Sequence, residues 1–142
     1  MAKSYWLLKT EPESWSWKNQ LNSKNKIAEW NGVRNYQASR NLKNMKKNDL
    51  CFFYHTGKEK RIVGIVKITK EYFIDKSDKT KKFVSVIVRA KNELSKPVTL
   101  EEIKNNEFFK EFVLIKQKRL SVMKVNTKYW KKICKMGKMN LY

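Results

Sequence analysis

One histidine, His55, two cysteines, Cys51 and Cys134, and three aspartates, Asp49, Asp75 and Asp78, are the scarce reactive side chains of this 142-residue sequence. A zinc site would need both cysteines together with His55, and the spacing 51, 55, 134 fits no usual ligand pattern. Cys51 and His55 sit four apart in a strand-like run, on one face but about 13 Å apart along the strand rise, too far for a nucleophile and its base. The four glycines, at 32, 57, 64 and 137, form neither a phosphate-cradling loop nor a G-x-S-x-G elbow. Glu11 with Glu13, and Glu101 with Glu102, occupy ordinary turn or cap positions. No metal and no cofactor is expected, and no enzymatic activity.

The unusual residues are aromatic and amide-rich. Trp30-Asn-Gly-Val-Arg-Asn-Tyr-Gln37 sets a Trp, an Arg, two Asn and a Gln beside a glycine turn and a helix start. Aromatic faces stack on nucleobases, and amides match their hydrogen-bonding edges. The same residues also suit a plain structural role, with Trp30 packed in the core and Asn35 capping a helix. Around them the chain carries 33 Lys plus Arg against 13 Asp plus Glu, a formal charge of +20. The excess is spread over both halves, so it belongs to the folded body and points to a polyanionic partner. An AT-rich coding bias, visible in the dominance of Lys over Arg, is the competing explanation; it does not explain having only three Asp.

No apolar run approaches the ~20 residues of a membrane span. The first fifteen residues lack the apolar region and cleavage site of a signal peptide. Two distant cysteines without a C-x-x-C fit reduced thiols. An intracellular, cytoplasmic monomer of one domain, residues 1–142, is therefore expected, with nucleoid or nuclear association as the alternative.

The elements that must position these residues follow from local pattern. Ser4–Lys9, Asp49–His55, Arg61–Phe73 and Phe83–Lys91 read as strands, and Gly64 marks a bulge or close backbone approach. Residues 112–116 and 119–125 read as further short strands, and 22–29 as a surface connection. Short helices are expected through Gln20 behind a cap at 14–17, over Asn35–Met45 with Tyr36, Leu42 and Met45 inward, and over 100–105 behind a Thr99/Glu102 capping box. A last helix, capped by Asn126 or Thr127, carries an apolar stripe of Tyr129, Trp130, Ile133 and Cys134. This order suits an α+β fold, a small curved sheet or barrel with helices outside it.

Several blocks carry a more specific signal: Tyr5-Trp-Leu-Leu-Lys-Thr-Glu-Pro12, Trp30 to Asn41, Met45-Lys-Lys-Asn-Asp49, Phe53-Tyr-His-Thr56, Ile62-Val-Gly-Ile65 and Arg119-Leu-Ser-Val122. Together, nearly end to end, they resemble the EVE domain, a member of the PUA-like superfamily with the YTH, PUA and ASCH domains. The resemblance implies a PUA-like curved barrel of five or six strands with flanking short helices. It also implies binding of nucleic acid, DNA or RNA, carrying a methylated or hydroxymethylated base turned out into an aromatic-lined pocket. By carry-over that pocket comprises Lys9, Thr10, Trp30, Val33, Arg34, Asn35, Tyr54, His55, Thr56, Arg119, Leu120 and Ser121. Trp30 would stack, and its replacement by Ala would weaken binding with little loss of folding. Lys58, Lys60, Arg61, Lys76, Lys79, Lys81 and Lys82 would follow the phosphate backbone. The alternatives are an enzyme acting on RNA or a modified nucleoside, with Lys9 and Glu11 as first suspects, and a general Lys-rich binder without base selectivity.

Overall fold

The computed structural model describes residues 3–139. The first apolar run forms β1, Tyr5–Thr10, and after the turn at Pro12 comes α1, Trp17–Asn22. Ser16 caps α1 in a capping box with Asn19, the polar pairing that satisfies orphan backbone N–H groups at a helix start. Part of the expected connection at 22–29 is a strand: after a 3₁₀ turn at Lys24–Lys26, Ile27–Trp30 forms β2. Next come α2, Tyr36–Asn44, capped by Asn35, and β3, Leu50–His55. Two long strands follow, β4, Arg61–Ile74, and β5, Val84–Thr99. The Thr99/Glu102 capping box starts α3, Leu100–Lys104. Residues 113–116 are helical, not extended: α4 is Val113–Lys116, with Leu114 buried on its inner side. Of the expected strand at 119–125 only Val122–Val125, β6, is extended. The chain then enters α5, Thr127–Met136, capped by Asn126, whose stripe Tyr129, Trp130, Ile133 and Cys134 is buried.

The strands form one mixed sheet in the order β2-β5-β4-β3-β1-β6. Its β1–β3 pair is parallel, and the other four pairs are antiparallel. The ladder is open. Strands β2 and β6 are its edges, and among the described residues no pairing joins them, so the hydrogen bonding is that of a curled sheet and not of a closed barrel. The curl is strong all the same. Strands β2 and β3 stand three places apart, roughly 14 Å in a flat sheet. Yet Trp30 of β2 meets Phe53 of β3 edge to face, with ring centroids 5.5 Å apart. Register shifts between β4 and both its neighbours, around Gly64 and again between Ile68 and Phe73, supply bulges that permit this bending. A methyl group at Gly64 would sit 2.5 Å from the Trp17 ring, so the glycine is there for close approach.

The outer face at β1 and β3 is covered by α5, through a stack of Tyr5 and Phe52 on Trp130. Cys51 and Cys134 are buried, and burial raises both thiols, Cys134 to about 11, which keeps them protonated. Helix α2 packs against β4, β5 and β6. It buries Ala38, Ser39 and Leu42, whereas Tyr36, expected inward, is 61% exposed. As the residue right after the cap, Tyr36 finds its neighbour in Phe83, 47 positions away, and not in the core.

Candidate functional site

The curl brings the edge strand β2 opposite the end of β1 across one hollow of about 690 Å³, within the range of ligand sites. One wall is β2 itself, Ile27 to Trp30; the other is the end of β1, Lys9 and Thr10, with Ser121 just before β6. Asn31 to Asn35 closes one side, and Ser14 and Trp15 close another.

Three polar groups in this wall have part of their capacity committed. The Asn35 side-chain oxygen accepts the Ala38 N–H as the cap of α2, which leaves its amide nitrogen as the group able to donate. The Thr10 hydroxyl donates to the Trp15 carbonyl at 2.8 Å, tying the 12–15 turn to the strand end. The Lys9 ammonium donates to the Lys118 carbonyl at 2.9 Å and stands over the Tyr54 ring, while partial burial lowers its pKa. Glu29 is exposed on β2 and has no ion pair among the described residues. Trp30 is only 7% exposed, wedged against Phe53, so it supports the floor more than it offers a free face. Trp15 is half-buried, its indole N–H held by Gln20 at 2.9 Å.

Two aspartates shape the rim. Asp75 accepts the Gly32 N–H at 2.8 Å and the Arg34 guanidinium at 3.0 Å, which clamps the 31–35 turn onto the 75–83 loop. Gly32 meets this geometry with φ +81°, in the left-handed region that favours glycine. Burial alone would raise the Asp75 pKa. Hydrogen bonds from the Ser77 hydroxyl, the Gly32 and Ser77 N–H groups and Arg34 outweigh it and hold the carboxyl at about 2. Asp78 is held at about 2 chiefly by the Thr80 hydroxyl, against burial, with the Phe83, Thr80 and Lys82 N–H groups adding to it.

The consequence is a pH dependence with a defined sign. Both carboxyls ionise near 2 in the folded chain and near 3.8 when unfolded. Their stabilisation is therefore complete above the unfolded value and is lost as pH falls from there through about 2. We expect the melting temperature to fall across that window. In the Asp75→Asn/Asp78→Asn double variant, melting starts lower at neutral pH and falls less steeply with acid. Scanning calorimetry at stepped pH measures both. An identical acid slope in variant and wild type would refute this role.

Of the residues expected in the site, Lys9, Thr10, Trp30, Val33, Arg34, Asn35 and Ser121 line the hollow. Tyr54 is buried behind Lys9, and burial raises its hydroxyl to about 12. His55 is structural: its Nε2 accepts the Trp17 N–H at 3.0 Å, which places the proton on Nδ1 facing Glu59 at 2.8 Å. Thr56 donates its N–H to the Thr10 carbonyl, aligning the ends of β1 and β3. Arg119 and Leu120 line an adjacent hollow of about 400 Å³ with Asn35, Gln37, Lys116, Gln117 and Lys118. Lys58, Lys60, Lys76, Lys79, Lys81 and Lys82 are exposed on two turns, and Arg61 pairs with Glu59 at 3.0 Å. Sequence reasoning missed Ser14, Trp15 and β2. The doubled tryptophan of Ser14-Trp-Ser-Trp17 was the available signal, since only one of the two rings can enter the core beside Gly64.

Comparison with known proteins agrees with this architecture. A sequence model of the EVE domain matches residues 4–136. A Rhodopseudomonas palustris protein solved by NMR is 39% identical, with TM-score 0.90 over 98% of this chain and 96% of that one. The crystal structure of human THYN1 protein in complex with 5-methylcytosine-containing DNA is 27% identical, with TM-score 0.90 over 98% of this chain and 100% of that one. Thymocyte nuclear protein 1 of Gallus gallus is 46% identical over 81 residues, 50% of this chain and 34% of that protein. The match thus spans about a third of that curated relative's length. No helix among the described residues is long and apolar enough to cross a membrane. With the family match running through β1, the hollow and α5, this chain belongs to the EVE domain family.

Proposed function

We propose that this chain is a non-catalytic nucleic-acid-binding module that takes a single methylated or hydroxymethylated base, turned out of its strand, into the hollow between β2 and the end of β1. The observation that carries the reading is the hollow's composition: tryptophan at wall and floor, interleaved with directional polar groups such as Thr10, Glu29, Asn35 and Ser121, on a chain of charge +20. An amide donor at Asn35 and a carboxylate acceptor at Glu29 suit a base with both a ring carbonyl or nitrogen and an exocyclic amine, as in cytosine derivatives. The likeness to the human protein crystallised with 5-methylcytosine DNA supports the same choice. Turning a base out costs a few kcal/mol. Stacking at about 1–3 kcal/mol and phosphate contacts offset that cost. A catalytic role finds little support in Lys9, whose ammonium is engaged by a backbone carbonyl.

The test is fluorescence anisotropy with single-stranded oligonucleotides identical except for one cytosine, 5-methylcytosine or 5-hydroxymethylcytosine. The expected result is at least about tenfold tighter binding of one modified strand, the equivalent of ~1.4 kcal/mol. Equal binding of all three would leave only a general basic binder.

A further inference from the structure

We infer that Tyr36 is a stacking platform for the base next in the strand to the one held in the hollow, an inference that rests on the base-reading function proposed above. Tyr36 is the most exposed of the large apolar side chains among the described residues, at 61%. It directly follows Asn35, and the Phe83 ring that it meets lies under the Arg34 guanidinium; Asn35 and Arg34 both line the hollow, which sets Tyr36 next to its rim. Its ring is braced by Phe83, with centroids 5.0 Å apart and planes 35° from parallel.

Phe83 is in turn fixed from two sides. The Arg34 guanidinium lies 5.6 Å from its centroid, and Asp78 accepts its N–H at 2.8 Å. Arg34 is itself locked by Asp75 and Ser77. An exposed aromatic ring normally loses side-chain entropy when it stacks on a ligand. A ring already braced loses less, which is the advantage of preorganisation. The chemistry around it matches a nucleotide: Lys81 and Lys82, both exposed, directly precede Phe83 and are suited to the phosphates on either side of a stacked base. A protein partner would be expected to meet a broader apolar patch than one ring among lysines.

The test compares 5-methyl-dCMP with a DNA trinucleotide carrying 5-methylcytosine at its centre, by titration calorimetry on wild type, Tyr36→Ala and Tyr36→Phe. The wild type should bind the trinucleotide more tightly than the mononucleotide. Tyr36→Ala should lose about tenfold on the trinucleotide, in line with one lost base–aromatic stack. It should leave the mononucleotide unchanged, and Tyr36→Phe should restore trinucleotide binding. An unchanged trinucleotide affinity in Tyr36→Ala would overturn the inference. So would an equal loss on both ligands, which would mean that Tyr36 acts by bracing the rim. Failure of the underlying function is distinguishable: wild type would then bind methylated and unmethylated trinucleotides equally.

Discussion

Trp30→Ala is expected to cost about 3–5 kcal/mol of folding stability, the usual range for a large aromatic side chain deleted from a core. That is a large part of the 5–15 kcal/mol available to a typical domain. The reason lies in the curl of the sheet. Trp30 sits on the edge strand β2 and reaches Phe53 on β3, which Trp17 also meets edge to face. The Trp30–Phe53 contact draws the edge inward, with Trp17 of α1 packed on the same ring, so removing the Trp30 indole leaves a cavity at the point where the sheet bends. The expectation that Trp30 can be removed with little loss of folding is therefore reversed. Binding lost in that variant would measure the fold as much as the hollow. Trp15→Ala is the discriminating partner. Its ring is half-buried and lines the hollow, and Gln20, its hydrogen-bond partner, stays anchored to the Lys26 carbonyl at 2.8 Å. It should lose clearly less stability than Trp30→Ala, the Gln20 side-chain oxygen giving up one donor, and lose about 5- to 150-fold in affinity for a modified oligonucleotide. Thermal melting and anisotropy on both variants give the comparison. A Trp30→Ala protein that melts like the wild type would show that the ring is not a support. A Trp15→Ala protein that binds like the wild type would remove that ring from the site.

What was legible in the sequence was local. The strands β1, β3 and β4 announce themselves through aromatic and β-branched runs, and Asn35, Asn126 and the Thr99/Glu102 box mark helix starts that the structure uses. Gly64 was legible too, because a glycine inside a β-branched run has few other reasons to be there. The errors fall where distant partners decide. Residues 113–116 are a three-residue apolar run and a lysine, too short for periodicity to separate strand from helix. Ile27–Trp30 is only four residues long, with Ala28 and Glu29 disfavouring extension at its centre, and becomes a strand because the 16-residue β5 offers it an edge. The same logic divides the site. Asn31–Asn35 was readable as a motif, but its clamp by Asp75 spans more than 40 positions. The His55, Tyr54 and Thr56 contacts are likewise long-range, so their supporting roles appear only once β1, α1 and β3 are side by side.

Affinity for any oligonucleotide is expected to fall steeply with salt, while preference for the modified base stays nearly constant. The charge inventory leads to this. Among the described residues four Lys or Arg side chains pair with carboxylates: Arg34, Arg61, Lys96 and Lys116. Most of the 33 basic groups are thus not neutralised within the chain. The 75–83 loop concentrates exposed lysines beside the hollow, and it is held from below by Asp75 and Asp78, not by the lysine side chains. Lys76, Lys79, Lys81 and Lys82 can therefore be changed to Glu together without removing the contacts that shape the loop. If the protein neutralises six to ten phosphates, affinity should drop about 10³- to 10⁵-fold between roughly 50 and 200 mM salt. The quadruple variant should bind much more weakly at low salt and show a shallower slope, by up to about four in log–log terms on a duplex and about three on a single strand. Its ratio of modified to unmodified affinity should match the wild type, because phosphate contacts position the strand and carry no base information. An unchanged slope would take the loop off the backbone path and return its lysines to coding bias. A lost ratio with an intact fold would mean that the loop reads the base itself, through Arg34 and the turn it clamps.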